Sequence, residues 1–86
     1  MKSKKLLAEL TESPKNIRFE RLCRIAEYFG FRFRGGKGSH RVFVHPQIPE
    51  ILNFQDAGGK GKPYQVRQLI KLIEKYGLHE EGEDDE

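Results

Sequence analysis

The sequence predicts an α+β fold, in which helices cover one face of a three-stranded antiparallel sheet in the order α-α-β-β-β-α. Three observations predict this class. The chain has 86 residues, enough for one domain with one modest core. Apolar residues follow helical spacing near both ends and alternate with period two in the middle. Glycine clusters separate the alternating segments, as turns separate antiparallel strands.

The first predicted element is a short helix over residues 3–11. Leu6, Leu7 and Leu10 would lie on one side of this helix. Pro14 ends the segment, because proline disfavours helical geometry in the residue before it. The pattern therefore predicts a small amphipathic helix at the N-terminus.

A second helical pattern starts at Ile17. Asn16 is predicted to be its N-cap, since the side chain can accept a hydrogen bond from an early helical amide. Gly30 is predicted to end the helix, because glycine adopts left-handed geometry easily. The apolar positions that follow helical spacing are Leu22, Ile25, Ala26 and Phe29.

Alternating residues then predict a hairpin and a third strand. Residues 31–34 read Phe-Arg-Phe-Arg, so that both phenylalanines share one face and both arginines share the solvent-exposed face. Residues 35–38, three glycines around one lysine, predict a turn, and residues 40–45 predict a second strand that ends at a proline. A turn at residues 46–49 would lead to a third short strand at residues 51–54.

This pattern does not determine which face of the second strand meets the core. His40 is grouped with two valines, whereas Arg41 is grouped with Phe43 and His45. Both groups contain apolar residues, so that alternation cannot choose between them.

The last predicted element is a helix that follows a second glycine cluster at residues 58–61. Pro63 suits the first helical position, where its missing N–H is not needed. Gly77 is predicted to end the helix, with Leu78 folding back on the last turn. The apolar stripe of this helix is formed by Val66, Leu69, Ile70, Ile73 and Tyr76.

Charge is distributed unevenly along the chain. The net charge is +3, but residues 1–78 carry 16 basic and 7 acidic groups, whereas residues 79–86 carry six acidic groups. We expect residues 1–78 to form a single domain, with an additional N-terminal helix in residues 1–14, and residues 79–86 to form a disordered acidic tail. A basic domain suits a polyanion such as nucleic acid, although positive charge also keeps small proteins soluble.

Several classes of protein are excluded. The single Cys23 rules out an internal disulfide and a multi-cysteine metal site, and it indicates a reduced, cytosolic protein. The apolar run at residues 6–8 is too short for a secretory signal or a membrane span. Neither glycine-lysine pair has the spacing of a nucleotide-binding phosphate loop.

Histidines are the candidate chemical groups. His40 joins the cationic glycine-rich turn to the start of a strand, and imidazole exchanges protons near neutral pH. From the residues alone His40 could be catalytic or structural. His45 precedes a proline at a strand end, which is typical of turn packing. No histidine, aspartate or glutamate set has metal-binding spacing, so we expect neither a metal nor another cofactor.

Five short motifs occur in order between about residues 17 and 78. They are Gly30-Phe31, Gly38-Ser39-His40-Arg41-Val42-Phe43, His45-Pro46, Gly59-Lys60-Gly61-Lys62-Pro63 and Tyr76-Gly77-Leu78. This ordered set resembles the HicA family of toxin ribonucleases, many of which have a second histidine at the position of Arg41. The resemblance implies a double-stranded-RNA-binding-like fold, cleavage of mRNA through His40, and silencing by a cognate HicB antitoxin that covers the active site.

In this interpretation the protein is the toxin of a type II toxin–antitoxin system and a metal-independent endoribonuclease. His40 would act as general base or acid on the 2′-hydroxyl or the leaving oxygen of RNA. The residues expected to hold phosphates are Lys37, Ser39, Arg41, Lys60 and Lys62, with Arg32 and Arg34 as further candidates. A second proton-transfer group is also needed, and the candidates for it are Lys60, Lys62, Tyr64 and His45.

Two other functions fit the same residues. A non-catalytic RNA-binding module would use the basic residues without needing His40. A protein-interaction domain would dock its basic face on an acidic partner. RNA cleavage that is lost on replacing His40 distinguishes the enzyme from both.

Overall fold

The computed structural model describes residues 2–78, which form three helices and four strands. The elements in chain order are α1 (Lys2–Glu12), α2 (Phe19–Tyr28), β1 (Arg32–Gly35), β2 (His40–His45), β3 (Ile48–Ala57), β4 (Lys60–Gly61) and α3 (Pro63–Tyr76). All neighbouring strands are antiparallel, and their order across the sheet is β1-β2-β3-β4. The predicted α+β class is confirmed, and the element order is α-α-β-β-β-β-α.

The prediction of three strands is wrong, because a fourth strand lies in the second glycine cluster. Lys60 and Gly61 of β4 pair with Ala57 and Asp56 at the end of β3. A strand of two residues is too short to show alternation, so that sequence reasoning could only describe this segment as a loop.

The terminal helices agree with their predictions. The α3 helix begins at Pro63 and ends before Gly77, which has the left-handed φ of 58°. The N–H of Leu78 donates to the carbonyl of Ile73 over 3.0 Å, so that the chain folds back on the last helical turn. Leu78 is partly buried against the core.

The predicted N-cap of α2 is wrong. Arg18 occupies the cap position without a side-chain hydrogen bond, whereas Asn16 accepts a hydrogen bond from Nζ of Lys60 over 3.3 Å. The N–H of Phe19 donates instead to the carbonyl of Gly59 over 2.9 Å. The start of α2 is therefore satisfied by the β3–β4 loop, which lies 40 residues away in the chain, and not by a local cap.

The β2 strand has the predicted limits, whereas β3 is longer than predicted. His45 pairs with Ile48, so that the connection is a two-residue turn and β3 already includes Pro49. Proline is tolerated there because β4 pairs only with the far end of β3 and leaves Pro49 at a free edge. The β1 strand starts at Arg32, one residue later than predicted.

One hydrophobic core lies between the helices and one face of the sheet. Phe43, Leu52 and Phe54 project from the sheet into this core and are at most 1% exposed. We call this side the helix face. We call the opposite side of the sheet the open face. It carries the residues that alternate along β2 and β3 with those of the helix face: His40, Val42, Val44, Ile51 and Asn53.

The N-terminal helix α1 extends the core beside α3. Leu6 and Leu10 are buried in the same cluster as the sheet residues. Among residues 2–78 the longest helix has 14 residues, and none has the length and apolarity needed to cross a bilayer. The predicted acidic tail at residues 79–86 lies outside the described residues.

Candidate active site

His40 is the first residue of β2, and its exposed side chain lies on the open face of the sheet. The backbone N–H of His40 donates to the carbonyl of Lys37 over 3.0 Å, which closes the turn formed by residues 37–40. Gly36 approaches the chain so closely that a Cβ there would overlap the carbonyl oxygen of His40. Glycine is therefore required at this position for the turn to place His40 at the strand start.

The His40 ring has one side-chain hydrogen bond within the described part of the chain. Its Nδ1 lies 3.3 Å from Oδ1 of Asn53 on β3. An amide oxygen can only accept a hydrogen bond, so that Nδ1 carries the proton in this contact. The neutral ring then has its lone pair on Nε2, which has no hydrogen-bond partner among residues 2–78. This nitrogen can accept a proton and return it.

Lys37 and Ser39 lie in the turn next to His40 and are exposed. The side chain of Lys37 has no ion pair or hydrogen bond within residues 2–78. The carbonyl of Ser39 accepts from the N–H of Asp56 over 2.8 Å, which ties the turn to β3. Both predicted residues therefore precede His40 directly, on a turn that is held by backbone hydrogen bonds.

Lys60 and Lys62 lie farther across the sheet. Lys60 pairs with Ala57 and shares the open face with Asn53 by strand alternation, while its Nζ donates to Oδ1 of Asn16 over 3.3 Å. Lys62 is the N-cap residue of α3 and is half-buried. The structure thus brings these lysines to the same end of the sheet as His40, with β3 between them.

The β3–β4 loop already satisfies one of its own amides. The N–H of Gly59 donates to Oδ1 of Asp56 over 2.6 Å, and the Gly59 carbonyl is bound by Phe19. An anion that approached this loop would meet an aspartate at the Gly59 amide. The loop can therefore offer lysine side chains to a phosphate, but not this amide.

Arg41 does not join the other predicted phosphate contacts. It pairs with Phe54 and so lies on the helix face, opposite His40. Its guanidinium donates to both carboxylate oxygens of Glu20, over 3.1 and 3.0 Å, and lies 5.1 Å from the ring centre of Phe19. The hydrogen bonds that Arg41 donates to Glu20 raise the pKa of Arg41. Strand alternation, which separates consecutive residues, explains this placement.

The first strand contributes two further arginines. Arg32 pairs with Val44 and therefore lies on the open face. Arg34 is exposed at an irregularity in the pairing between Phe33 and Gly35. The open face is consequently bordered by positive charge on the β1 side as well.

His45 lies at the other end of β2, and both of its ring nitrogens are bound. The N–H of Gln47 donates to Nδ1 over 3.1 Å, so that Nδ1 is an acceptor and the ring hydrogen is on Nε2. Nε2 lies 3.1 Å from the carbonyl oxygen of Phe29, to which it donates. The ring also meets Phe31 edge to face, with centroids 5.1 Å apart. His45 is therefore a structural part of the turn, as its sequence context indicates.

The remaining reactive groups within residues 2–78 show no comparable arrangement. Cys23 is 5% exposed, and burial raises the pKa of its thiol to about 11. Tyr64 is 60% exposed, and its hydroxyl accepts a hydrogen bond from Gln65 over 3.3 Å. Within residues 2–78 no group of three or more histidine, cysteine, aspartate or glutamate side chains is placed to hold a metal ion.

Most of the acidic groups in residues 1–78 bind partners within the domain. Glu9 binds Arg21, Glu20 binds Arg41, and Glu50 binds Lys75 and Tyr76. Asp56 binds the amide of Gly59. With 16 basic and 7 acidic groups in residues 1–78, much of the positive charge is left without such a partner and can attract a polyanion.

Sequence reasoning did not identify Asn53, which is the side-chain partner of His40. Asn53 interrupts an apolar strand, and that polar residue was the only available signal. Its relation to His40 depends on the register between β2 and β3, which the sequence pattern does not encode.

Fold and site together define a small basic α+β protein that presents one histidine beside a cationic turn on an open sheet face. A family model described as the HicA toxin of bacterial toxin–antitoxin systems matches residues 19–74, from the start of α2 into α3. The chain belongs to the HicA toxin family. A search of curated proteins and a search of solved structures each give no match.

Proposed function

We propose that the protein is a metal-independent endoribonuclease that cleaves mRNA, with His40 as a catalytic residue. The observation that carries this proposal is the state of the His40 ring, which is exposed on the open face with Nδ1 bound to Asn53 and Nε2 without a partner among residues 2–78. Membership of the HicA toxin family supports it, because this family is associated with ribonuclease activity and with an RNA substrate.

RNA supplies its own nucleophile for this reaction. The 2′-oxygen attacks the neighbouring phosphorus as its proton leaves, forming a 2′-O–P bond and breaking the bond from phosphorus to the 5′-oxygen, which takes up a proton. The products are a 2′,3′-cyclic phosphate and a 5′-hydroxyl. Nε2 of His40 would take the first proton or, in its protonated form, supply the second.

The other proton transfer requires a second group. Lys60, Lys62 and Tyr64 are the candidates on the chain. His45 is no longer one of them, because the turn occupies both of its nitrogens. Replacing each candidate in turn and measuring RNA cleavage would identify the second group.

Phosphate contacts are proposed for the residues at the His40 end of the sheet. Lys37 and Ser39 would hold the phosphate at which the chain is cleaved, since they lie next to His40 in the turn. Lys60 and Lys62 would hold a neighbouring phosphate. Arg41 is left out, because Glu20 occupies its guanidinium on the opposite face.

As a family member the protein has a cognate antitoxin as a partner. We propose that this partner is of the HicB type, that it covers His40 on the open face, and that both proteins act in the cytoplasm. The proposal includes a kinship of the fold with double-stranded-RNA-binding domains. Co-expression of the two proteins, followed by protection of residues around His40 from hydrogen exchange, tests the docking site.

The test of the activity compares the wild type with His40→Ala on RNA in excess EDTA. We expect the wild type to cleave and the variant to lose about a hundred- to ten-thousand-fold in rate, with unchanged circular dichroism. Equal cleavage by both proteins would remove His40 from the mechanism. Dependence on added metal would remove the metal-independent reaction, and RNA binding without cleavage by the wild type would favour a binding module.

A further inference from the structure

Asn53 lies diagonally opposite His40 on the neighbouring strand. The register pairs His40 with Gln55 and Val42 with Asn53. Asn53 therefore lies on the same face as His40, two residues along β3 from its direct partner. Long side chains reach across this diagonal in antiparallel sheets. The contact between Oδ1 of Asn53 and Nδ1 of His40, at 3.3 Å, is such a diagonal pair.

The backbone of Asn53 is firmly anchored. Its two neighbours, Leu52 and Phe54, are fully buried in the core on the helix face, at 0% exposure. Asn53 itself is exposed on the open face. Because its backbone is held in place, the Asn53 side chain can fix the orientation of the exposed His40 ring.

An amide has a particular advantage as the partner of this imidazole. Its oxygen accepts from Nδ1–H in both the neutral and the protonated ring, so that Nε2 is the exchanging nitrogen in both states. A carboxylate would also accept this hydrogen bond, but its negative charge would favour the imidazolium. The amide therefore orients the ring without placing a negative charge beside it.

We propose that Asn53 is a positioning residue for His40: it keeps the hydrogen of the neutral ring on Nδ1 and directs Nε2 towards the RNA. This inference rests on the proposed ribonuclease function for its kinetic consequences. Its structural consequence, the identity of the protonated nitrogen, does not depend on that function.

The first experiment measures the tautomers directly by nitrogen-15 NMR of the histidine rings, with signals assigned from His40→Gln and His45→Gln. The wild type at a pH where the rings are neutral is expected to show opposite tautomers, with the hydrogen on Nδ1 in His40 and on Nε2 in His45. Asn53→Leu should change the His40 signals only, towards a mixture of tautomers. A wild-type His40 ring with its hydrogen on Nε2, or a ring unaffected by Asn53→Leu, overturns the proposal.

The second experiment measures cleavage by Asn53→Leu and by a matched control, Gln55→Leu. Both variants remove a side-chain amide from the same face of β3, but within residues 2–78 only the Asn53 amide is hydrogen-bonded to the His40 ring. Because a small misplacement of a catalytic group can cost about a hundredfold, we expect Asn53→Leu to lower kcat about 10- to 100-fold with little change in KM. Gln55→Leu should stay within about threefold of the wild type in kcat, since within residues 2–78 the His40 ring is hydrogen-bonded to Asn53 and not to Gln55.

A third variant, Asn53→Asp, keeps the acceptor and adds a charge. It should recover most of the activity lost in Asn53→Leu, and the limb of the pH–rate profile that depends on the imidazole should move to higher pH. Failure of Asn53→Asp to recover activity, or equal losses in the two leucine variants, contradicts positioning by Asn53. If Asn53→Leu does not fold, Asn53→Ala replaces it in both experiments.

The outcomes separate this inference from the proposed function. Loss of activity in His40→Ala together with full activity in Asn53→Leu would leave His40 catalytic and reject the role of Asn53. Absence of cleavage by the wild type would reject the ribonuclease proposal, while the NMR tautomers would still accept or reject the placement of the ring by Asn53.

Discussion

Strand β2 carries a histidine at each end, and the two rings have opposite surroundings. His40 is exposed, with one ring nitrogen bound to a side chain and the other without a partner in the described part of the chain. His45 has one nitrogen bound to a backbone N–H and the other to a backbone carbonyl, and its ring packs on Phe31. The same residue type is therefore exposed at one end of the strand, where we propose that it is catalytic, and is built into the turn at the other end.

This difference shows what makes a histidine available for chemistry. A ring whose nitrogens are both satisfied by the backbone cannot exchange a proton without breaking the turn that it stabilises. A ring with one nitrogen bound and one unbound has an orientation and a reactive atom. Exposure alone is not the criterion, because the bond to Asn53 is what gives the His40 ring a defined direction.

The largest effect is expected when the same substitution is made at each of the two histidines and the cleavage rates are compared. His40→Gln should lower the single-turnover cleavage rate about a hundred- to ten-thousand-fold, whereas His45→Gln should leave the rate per folded molecule within about threefold. The measurement is cleavage of RNA in excess EDTA, normalised to folded protein. Similar losses in the two variants would abolish the distinction between the two ends.

Stability should show the reverse order. His45→Ala leaves the N–H of Gln47 and the carbonyl of Phe29 without partners, so we expect the free energy of unfolding to fall by about 1–3 kcal/mol. His40→Ala removes one exposed hydrogen bond and should change it by no more than about 0.5 kcal/mol. Urea denaturation measures both values. A larger loss for His40→Ala would mean that His40 has a structural role.

The turn before His40 offers a test of its placement. In Gly36→Ala the new Cβ would overlap the His40 carbonyl oxygen, and displacement of β2 should lower cleavage by about tenfold. Gly35→Ala is the matched control, because it also has a positive φ but its Cβ would meet no atom within 4 Å. Equal kinetic effects in the two variants would show that backbone strain, and not the contact with His40, is responsible.

The turn before β2 and the helix face of β2 should contribute differently to RNA affinity. Lys37→Ala should weaken binding a few-fold and reduce the dependence of log affinity on log salt by about 0.7–0.9. Arg41→Ala should leave both quantities almost unchanged, since Glu20 occupies the guanidinium on the helix face. Fluorescence anisotropy with a short RNA at several salt concentrations measures both. A reduced salt slope for Arg41→Ala would return Arg41 to the phosphate contacts.

The smallest predicted effect concerns pH and the His45 end of the hairpin. The hydrogen bond from Tyr76 lowers the pKa of Glu50 below its ordinary 4.5, and Lys75 adds to this effect. A lowered folded-state pKa stabilises the fold above the ordinary value, and that contribution disappears as pH falls through the lowered one. Glu50→Gln should therefore lose less stability than the wild type between about pH 5 and pH 3. Parallel acid-denaturation curves for the two proteins would contradict this coupling.

Local patterns in the sequence were sufficient for the elements that depend on neighbouring residues. Pro63 and Gly77 mark the ends of α3, because each has a backbone preference that acts within one helical turn. The limits of β2 follow from alternation between a glycine turn and a proline. His40 could be proposed as a site for the same reason, since its turn and strand are adjacent in the chain.

Long-range pairing produced the features that local reasoning missed. The register of β2 on β3 places Asn53 beside His40, and the core on one face of the sheet turns Arg41 towards Glu20. The β4 strand exists because Lys60 and Gly61 meet the end of β3. The candidate catalytic residue His40 could be proposed from the sequence alone, but its partners depend on contacts that form only when the whole core is packed together, since burial and register are properties of the assembled sheet.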